Sequence, residues 1–462
     1  MKKIIQSMLL GFMICLSVGK IFAAEENYIT ESAFASSLNT IAKTEATKMQ
    51  GSGEYLTRER AAQMIVAYLN YSGLARKVEG NSKFNDVITS KGEIELVKEL
   101  GIMNGVSETK FAPKELVSVK TAQDIVNKVN AKLNNASMWK HACYAINSSS
   151  QMNLINQYQA VSFGWAEVEH TNGCFNVTTA GRDFKVPSGF EMPVDLAQGN
   201  GVETYLMIYF DGLGGKAEAL LNDEVQCNAL VDQIVTYANG ITKENQTRSF
   251  DGVSIDFEGF KSSELKLPYN QFLYKLKAKL QNQNMKMNVM IQPSLYYKGY
   301  DYKTIGEVAD HVILMAHDYG TKNLSTSELQ AGNTTTPLTP IDQVYEALRE
   351  AKNEIADPNK IVLQFSFASL QWQKQNSTIL NQKAYTPTYE QISARLQNPG
   401  TKVFFDKNMQ STYATYEENG VTNFIWYEDV KSIQAKMELA KLLGINSFSY
   451  WRLGTIPSYI QF

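Results

Sequence analysis

The sequence is poor in the residues that build disulfide frameworks and metal centres. Its 462 residues hold four cysteines and four histidines. Disulfide-stapled folds use many paired cysteines, so this chain is not one of them. Cys143, Cys174 and Cys227 leave room for one bridge. The cysteines and histidines show no metal-ligand spacing, so neither a metal nor a cofactor is expected. Charge of one sign is not in excess either: 44 Lys and Arg stand against 47 Asp and Glu, a net charge of −3. That mildly acidic balance argues against non-specific nucleic-acid binding. The mostly apolar run from Ile4 to Val18 falls short of the roughly 20 residues a membrane span needs.

What is present suits a soluble protein with a large core: 44% apolar and 20% charged residues. The 24 Tyr and 21 Phe suit sugar faces, although core packing is the simpler explanation. Residues 1–24 read as a secretory signal. Lys2 and Lys3 precede the apolar run, and Ala23 and Ala24 supply a cleavage region. An uncleaved anchor is the alternative, since Lys20 lies unusually close to that region. Ile14 before Cys15 is too large for a lipoprotein site. The mature chain is therefore expected outside the cell, with no membrane contact after signal removal.

Residues 25–135 have a helical, repetitive texture. Leu56-Thr57-Arg58-Glu59 opens a helix with an N-cap and an acidic first turn. A related stretch begins at Val117-Ser118, so Ala61 and Ala122, Met64 and Ile125, and Ile65 and Val126 fall in step. Between them lie Phe84-Asn85-Asp86-Val87 and Gly101-Ile102-Met103-Asn104-Gly105-Val106, then Phe111-Ala112-Pro113. These pieces resemble the S-layer homology module over about one and a half to two copies. The resemblance implies a wall anchor that binds an anionic cell-wall polymer. Thr57, Arg58 and Glu59 match the stretch that contacts it, and Arg58, with its planar fork, is the candidate wall-polymer ligand. A solvated charge at a helix start is the simpler alternative. Ser118, Val119 and Lys120 of the second copy depart from the pattern.

After a polar joint at 134–138, residues 136–462 alternate strand-like and helix-like segments. Candidate strands are 141–147, 160–168, 204–210, 252–258, 286–292, 311–317, 361–367 and 447–451. Helical patterns fall at 220–238, 269–281, 340–354 and 431–443. Eight strands alternating with helices predict an α/β chain: a (β/α)8 TIM barrel preceded by a small helical domain.

The strand at 252–258 carries the chemistry. Val253, Ile255 and Phe257 share one face, and Gly252, Ser254, Asp256 and Glu258 share the other. In a barrel the polar face points inward, with the carboxylates at the C-terminal end where barrel enzymes place their sites. Two carboxylates about 6.6 Å apart along a strand repel each other and separate their ionisation, leaving one proton available near neutral pH. Glycoside hydrolysis uses such a pair.

Phe250-Asp251-Gly252-Val253-Ser254-Ile255-Asp256-Phe257-Glu258 resembles the active-site signature of glycoside hydrolase family 18, the chitinase-like family. The resemblance covers most of residues 139–462. It implies substrate-assisted retention: Glu258 protonates the glycosidic oxygen, and Asp256 orients the N-acetyl group whose carbonyl oxygen attacks. Ser254 stands where the family often has a third Asp and is a candidate substrate ligand. Met315-Ala316-His317-Asp318 resembles the family's Met-x-Tyr-Asp, with His317 in place of Tyr. Met315, His317 and Asp318 are then candidate substrate ligands, and a structural histidine is the alternative for His317. Ser449-Tyr450-Trp451 resembles the last strand, whose Trp forms the sugar-pocket floor. Ile425-Trp426-Tyr427-Glu428-Asp429 is most similar to the spore and peptidoglycan branch, with Glu428 and Asp429 read as helix-start charges. Trp165, with Glu167 nearby, is a further cleft candidate, and Asp251 a structural hydrogen-bonder.

The implied activity is cleavage of β-1,4 bonds after N-acetylglucosamine in chitin or peptidoglycan, at the cell wall or spore envelope. Two alternatives stand beside it. Ser254 and His317 favour a barrel that binds such glycans without cutting them, and an idle structural wall protein is the third reading.

Overall fold

The computed structural model describes residues 27–332 and 337–458. The expected signal segment lies outside the described residues. No helix among them is long and apolar enough to cross a membrane.

The N-terminal region is helical: α1 (Glu31–Leu38), α2 (Arg58–Leu69), α3 (Ser72–Val78), α4 (Lys91–Glu99) and α5 (Val119–Leu133). The side chains of Thr30, Thr57 and Ser118 cap α1, α2 and α5, accepting from the backbone N–H groups of Ala33, Arg60 and Thr121. Each cap is worth about 1 kcal/mol. The segments leading into these helices meet in short antiparallel bridges, Tyr28 with Ser118, Thr30 with Tyr55 and Thr57 with Leu116. The sequence repeat thus corresponds to α2 and α5, whose in-step residues Ala61, Met64, Ile65, Ala122, Ile125 and Val126 are all buried. The start of α1 makes a third unit of the same kind, which the sequence comparison did not find.

Eight parallel strands follow: β1 (Trp139–Ala145), β2 (Ala160–Thr171), β3 (Glu203–Asp211), β4 (Gly252–Glu258), β5 (Lys286–Ile291), β6 (His311–Leu314), β7 (Ile361–Ser366) and β8 (Ser447–Trp451). Each pairs with its sequence neighbour, and β8 pairs with β1, so the sheet closes into a (β/α)8 barrel. All eight expected strands are present, with β6 three residues shorter than the pattern suggested. Helices α6 (Glu224–Asn239), α7 (Lys266–Gln281), α8 (Ile341–Glu354) and α9 (Val430–Leu443) pack outside. Period-2 alternation sorts each strand. Val253, Ile255 and Phe257 join Leu206, Ile208 and Phe210 in the layer under the helices, each worth about 1.5–3 kcal/mol of burial. The barrel interior mixes Cys143, Met207, Met290, Ile313 and Val362 with buried His141, Ser162, Ser254, Asn288, Gln364 and Ser449. The three described cysteines are free, so the bridge left open by the sequence does not form.

Between β7 and α9 an antiparallel five-stranded sheet is inserted, built from residues 370–375, 378–379, 402–406, 411–418 and 421–427. The sequence reading did not anticipate it. The signal was Asn419-Gly420, a dipeptide that favours a two-residue hairpin turn. Both residues have positive φ, 53° and 74°, and the strands on either side pair from Glu418–Val421 onward.

The helical region docks on α8 and α9. Glu99 accepts from Tyr345 Oη and, at 3.0 Å, from Arg349 Nε. Lys77 bridges Asp342 and Glu346, each at 3.0 Å. Glu438 accepts from the backbone N–H of Thr44 at 2.8 Å and faces Lys43 Nζ at 3.4 Å, and Lys132 donates to the carbonyl of Leu442 at 2.8 Å. The Lys77 pairs are exposed and contribute little, but Lys43 and Glu438 are buried, so separating the two regions would strand both charges.

Candidate active site

Asp256 and Glu258 occupy the C-terminal half of β4 and project inward, as the alternation requires. Gly252 begins the strand because β5 runs close by: a Cβ there would lie 2.2 Å from the carbonyl oxygen of Lys286. Close approach of backbone, rather than space inside the barrel, therefore demands glycine. Asp251 ties β4 to β3, accepting from the N–H and hydroxyl of Thr204 at 2.7 and 2.9 Å.

Asp256 is buried, and its Oδ1 has no hydrogen-bond partner among the described residues. Burial, reinforced by the charge of Glu258, raises its pKa well above the ordinary carboxylate value. Glu258 sits at the barrel mouth. Burial raises its pKa too, His317 pulls it down, and Asp318 and Asp211 push it up. Burial thus biases both carboxyls toward their protonated forms.

Gln292, just past β5, donates to Glu258 Oε2 at 3.1 Å. Its own oxygen accepts from the N–H of Gly259 at 2.7 Å and from Tyr300 Oη at 3.3 Å. The amide therefore cannot turn without losing three contacts, and it fixes the Glu258 carboxyl. Sequence reading missed Gln292. Its only signal was a polar residue at the inward end of the next barrel strand.

His317 and Asp318 follow β6. The imidazole is almost fully enclosed, with Nδ1 3.1 Å from Asp318 Oδ2 and Nε2 3.0 Å from Gln364 Oε1. Asp318 adopts a left-handed backbone, φ 60°. Burial opposes its charge, but His317 and Lys322 hold its carboxyl down to about 2. Met315, His317, Asp318 and Glu258 line one cleft of about 820 Å3, together with Gln292, Tyr296, Tyr297, Lys261 and Lys322. Trp451 lies half-buried against the inner cluster that contains Met315, beside Tyr209 and with its ring 6.4 Å from Phe184. The Trp451–Arg452 peptide bond is cis.

Two residues expected in the cleft are placed elsewhere. Trp165 is buried on the helix side of β2, against Phe163, Phe190 and Phe250. The β2–β3 register shifts between Gly164 and Ala166, so Trp165 is the extra residue of a bulge. Glu167 beyond it accepts from the N–H groups of Arg182 and Phe184 at 3.1 and 2.9 Å. Ser254 lies fully buried one inward position below Asp256, bonded to Ser162 Oγ at 2.6 Å and Asn288 Nδ2 at 3.4 Å. It belongs to the barrel filling and does not face the cleft. Arg58, in the helical region, lies over the Phe111 ring at 4.5 Å and donates to the carbonyls of Phe111 and Asn104 at 2.8 and 2.6 Å. Much of its fork is committed to holding the loop before Pro113. Glu428 and Asp429 are also structural: Asp429 caps α9, and Glu428 pairs with buried Lys436 at 2.7 Å.

Among the described residues no cluster of His, Cys, Asp and Glu could hold a metal. What the site holds is the Glu258 carboxyl lining an open, tyrosine-edged cleft, with buried Asp256 two residues before it on the inward face of β4.

Known proteins resemble this chain over the same region. It is 28% identical over 214 residues to a cortical fragment-lytic enzyme of Bacillus anthracis, covering 44% of this chain and 46% of that protein. The chain spans about half the length of the curated relatives it matches. The crystal structure of the Bacillus cereus spore cortex-lytic enzyme SleL superposes with a TM-score of 0.56 at 21% identity, covering 70% of this chain and 72% of that one. A chitinase from Chromobacterium violaceum superposes with the same TM-score at 18% identity, covering 70% and 96%. The S-layer homology domain profile matches residues 83–118. The profile of glycosyl hydrolases family 18 matches residues 139–455, the whole barrel with its insertion, and the chain belongs to that family.

Proposed function

We propose that this protein is a wall-directed glycosidase that cuts β-1,4 bonds following N-acetylglucosamine in peptidoglycan. The observation that carries this is geometric: Glu258 lines a cleft of about 820 Å3, with buried Asp256 two residues before it on the inward face of β4, and burial favours the protonated form of both. In this reading Glu258 enters the reaction protonated and gives its proton to the leaving oxygen. Gln292 holds the donor oxygen in place. The substrate's own acetamido oxygen attacks the anomeric carbon, so no protein nucleophile is required. Asp256, with its orphan oxygen, orients the acetamide N–H and stabilises the charge that develops there. Met315 and Trp451 flank the inner end of the site, and His317 supplies positive charge beside it.

Peptidoglycan is preferred over chitin because the S-layer homology match at 83–118 accompanies a barrel related to cortex-lytic enzymes. A wall-bound anchor raises the local concentration of the glycan. Purified peptidoglycan and N-acetylglucosamine oligomers, digested and read by mass spectrometry, test the proposal. Wild type releases fragments ending in N-acetylglucosamine, and Glu258→Gln releases none. Equal release by both proteins removes Glu258 as the acid.

A second reading has its own support. Both ring nitrogens of His317 are engaged by protein acceptors and Ser254 is withdrawn from the cleft, so the site offers fewer free donors to a sugar. Calorimetric binding of oligomers with no turnover after prolonged incubation would select a glycan-binding barrel.

A further inference from the structure

His317 is held between two oxygen atoms. Asp318 Oδ2 faces Nδ1 and Gln364 Oε1 faces Nε2. The other end of the Gln364 amide is engaged as well. Its Nε2 points at Ser449 Oγ, 3.1 Å away, and at Cys143 Sγ, 3.8 Å away. Gln364 is buried, and in this orientation its NH2 serves that hydroxyl and thiol while its oxygen is left for the imidazole. Ser449 is in turn bonded to His141 Nδ1 at 2.7 Å, His141 Nε2 to Ser162 at 2.7 Å, and Ser162 to Ser254 at 2.6 Å. Burial drives His141 down to about 3, so that ring is neutral and the serine hydroxyls supply the donors its tautomer lacks. A neutral ring at His317 has no such relief. Carboxylate and amide oxygens are both acceptors, and a single N–H satisfies only one of them.

We propose that Gln364 is a positioning residue: with Asp318 it fixes His317 as a doubly protonated imidazolium beside Glu258, giving the cleft a built-in cation. The charged and titratable groups around that ring are Asp318 and Lys322 from its own segment, Glu258 and Asp256 from β4, and Cys143 from β1 through Gln364. Burial disfavours the charge, but Asp318, Gln364 and Glu258 outweigh it and raise the His317 pKa. The cation in turn opposes the effect of burial on Glu258, which keeps that proton transferable. Losing the second proton from His317 therefore makes Glu258 hold its own proton more tightly and removes positive charge from the pocket.

The test separates this inference from the glycosidase reading on which its activity arm rests. Untagged protein has four imidazoles, those of His141, His170, His311 and His317. Long-range 1H–15N spectra show the protonation of each, and His317→Gln assigns the ring in question. At pH 6 the His317 ring is expected with both nitrogens protonated, while His141 and His311, held down to about 3 and about 4 by burial, carry one proton each. Gln364→Leu, which removes the acceptor, shifts the His317 midpoint down by about one pH unit, and Gln364→Glu shifts it up by a similar amount. The alkaline limb of kcat/KM on N-acetylglucosamine oligomers, which reports the proton on Glu258, moves up in Gln364→Leu, because loss of the neighbouring cation makes Glu258 hold its proton more tightly. A merely structural glutamine predicts loss of stability without opposite shifts. A singly protonated His317 in wild type at pH 6, or midpoints moving the same way in both variants, overturns the inference. Wild-type protein that cleaves no glycan yet shows the doubly protonated ring and opposite shifts sinks the glycosidase reading and leaves this one standing.

Discussion

Replacing Asp256 with Asn is expected to stabilise the protein while crippling it. The side chain is buried with an orphan Oδ1 and a second carboxyl two residues away. A buried polar group without a partner costs about 1–3 kcal/mol, and more when charged. The amide keeps the shape and drops the charge, so at pH 7 the variant should gain about 1–3 kcal/mol. For a domain of this size that is a rise in Tm of a few degrees. The pH dependence sharpens the test. In the unfolded chain Asp titrates near 3.9, and in the native barrel its pKa is raised. The native state therefore binds more protons between those two values. The stability associated with the protonated form is complete below about pH 3.9 and is lost as pH rises toward the raised native value. Thermal unfolding from pH 4 to pH 8 should show wild type losing stability across that window and Asp256→Asn losing less. Activity on N-acetylglucosamine oligomers should fall about 100- to 1,000-fold, the usual loss when a charge-stabilising group leaves a site. An Asp256→Asn variant that melts lower than wild type at pH 7, or with the same pH slope, would show that the carboxylate is compensated and refute the reasoning.

Other substitutions probe neighbouring parts of the account. Gln292→Leu should lower kcat about 10- to 100-fold with KM little changed, because Glu258 loses its orienting donor; steady-state kinetics check this, and an unchanged kcat removes Gln292 from the machinery. Gly252→Ala drives a Cβ into the Lys286 carbonyl and should cost about 3 kcal/mol or more, visible as a large drop in Tm. Trp165→Ala should cost about 3–5 kcal/mol of stability with KM for oligomers unaltered, and a raised KM with stability intact would return Trp165 to the cleft.

Much of the barrel was legible because its strands obey two rules at once. The β4 segment alternates small or polar against large apolar residues, and that alternation alone put Asp256 and Glu258 on the inner face. The same rule, carried through β2, would have placed Phe163 and Trp165 on the outer face with Ser162 and Gly164 inside. Ser254 was misplaced for a related reason: it shares the face of the two acids but lies deeper, where side chains fill the barrel. The inserted sheet escaped because it interrupts the strand–helix alternation between β7 and α9, and Asn419-Gly420 was the main local mark of its pairing. His317 was recognisable as a substitution, but its state was not, since Gln364 lies 47 residues away and only the closed barrel brings them together. Arg58 read as a free fork because nothing local reveals that the Asn104 and Phe111 carbonyls fold back onto it.

The most direct test of substrate-assisted catalysis by Asp256 and Glu258 is the anomeric configuration of the first product. Proton NMR during hydrolysis of a short N-acetylglucosamine oligomer should show the β-anomer appearing first, with the α-anomer following only by mutarotation. An α-anomer formed first would mean that water attacks directly from the opposite face, and the proposed roles of both carboxyl groups would be wrong.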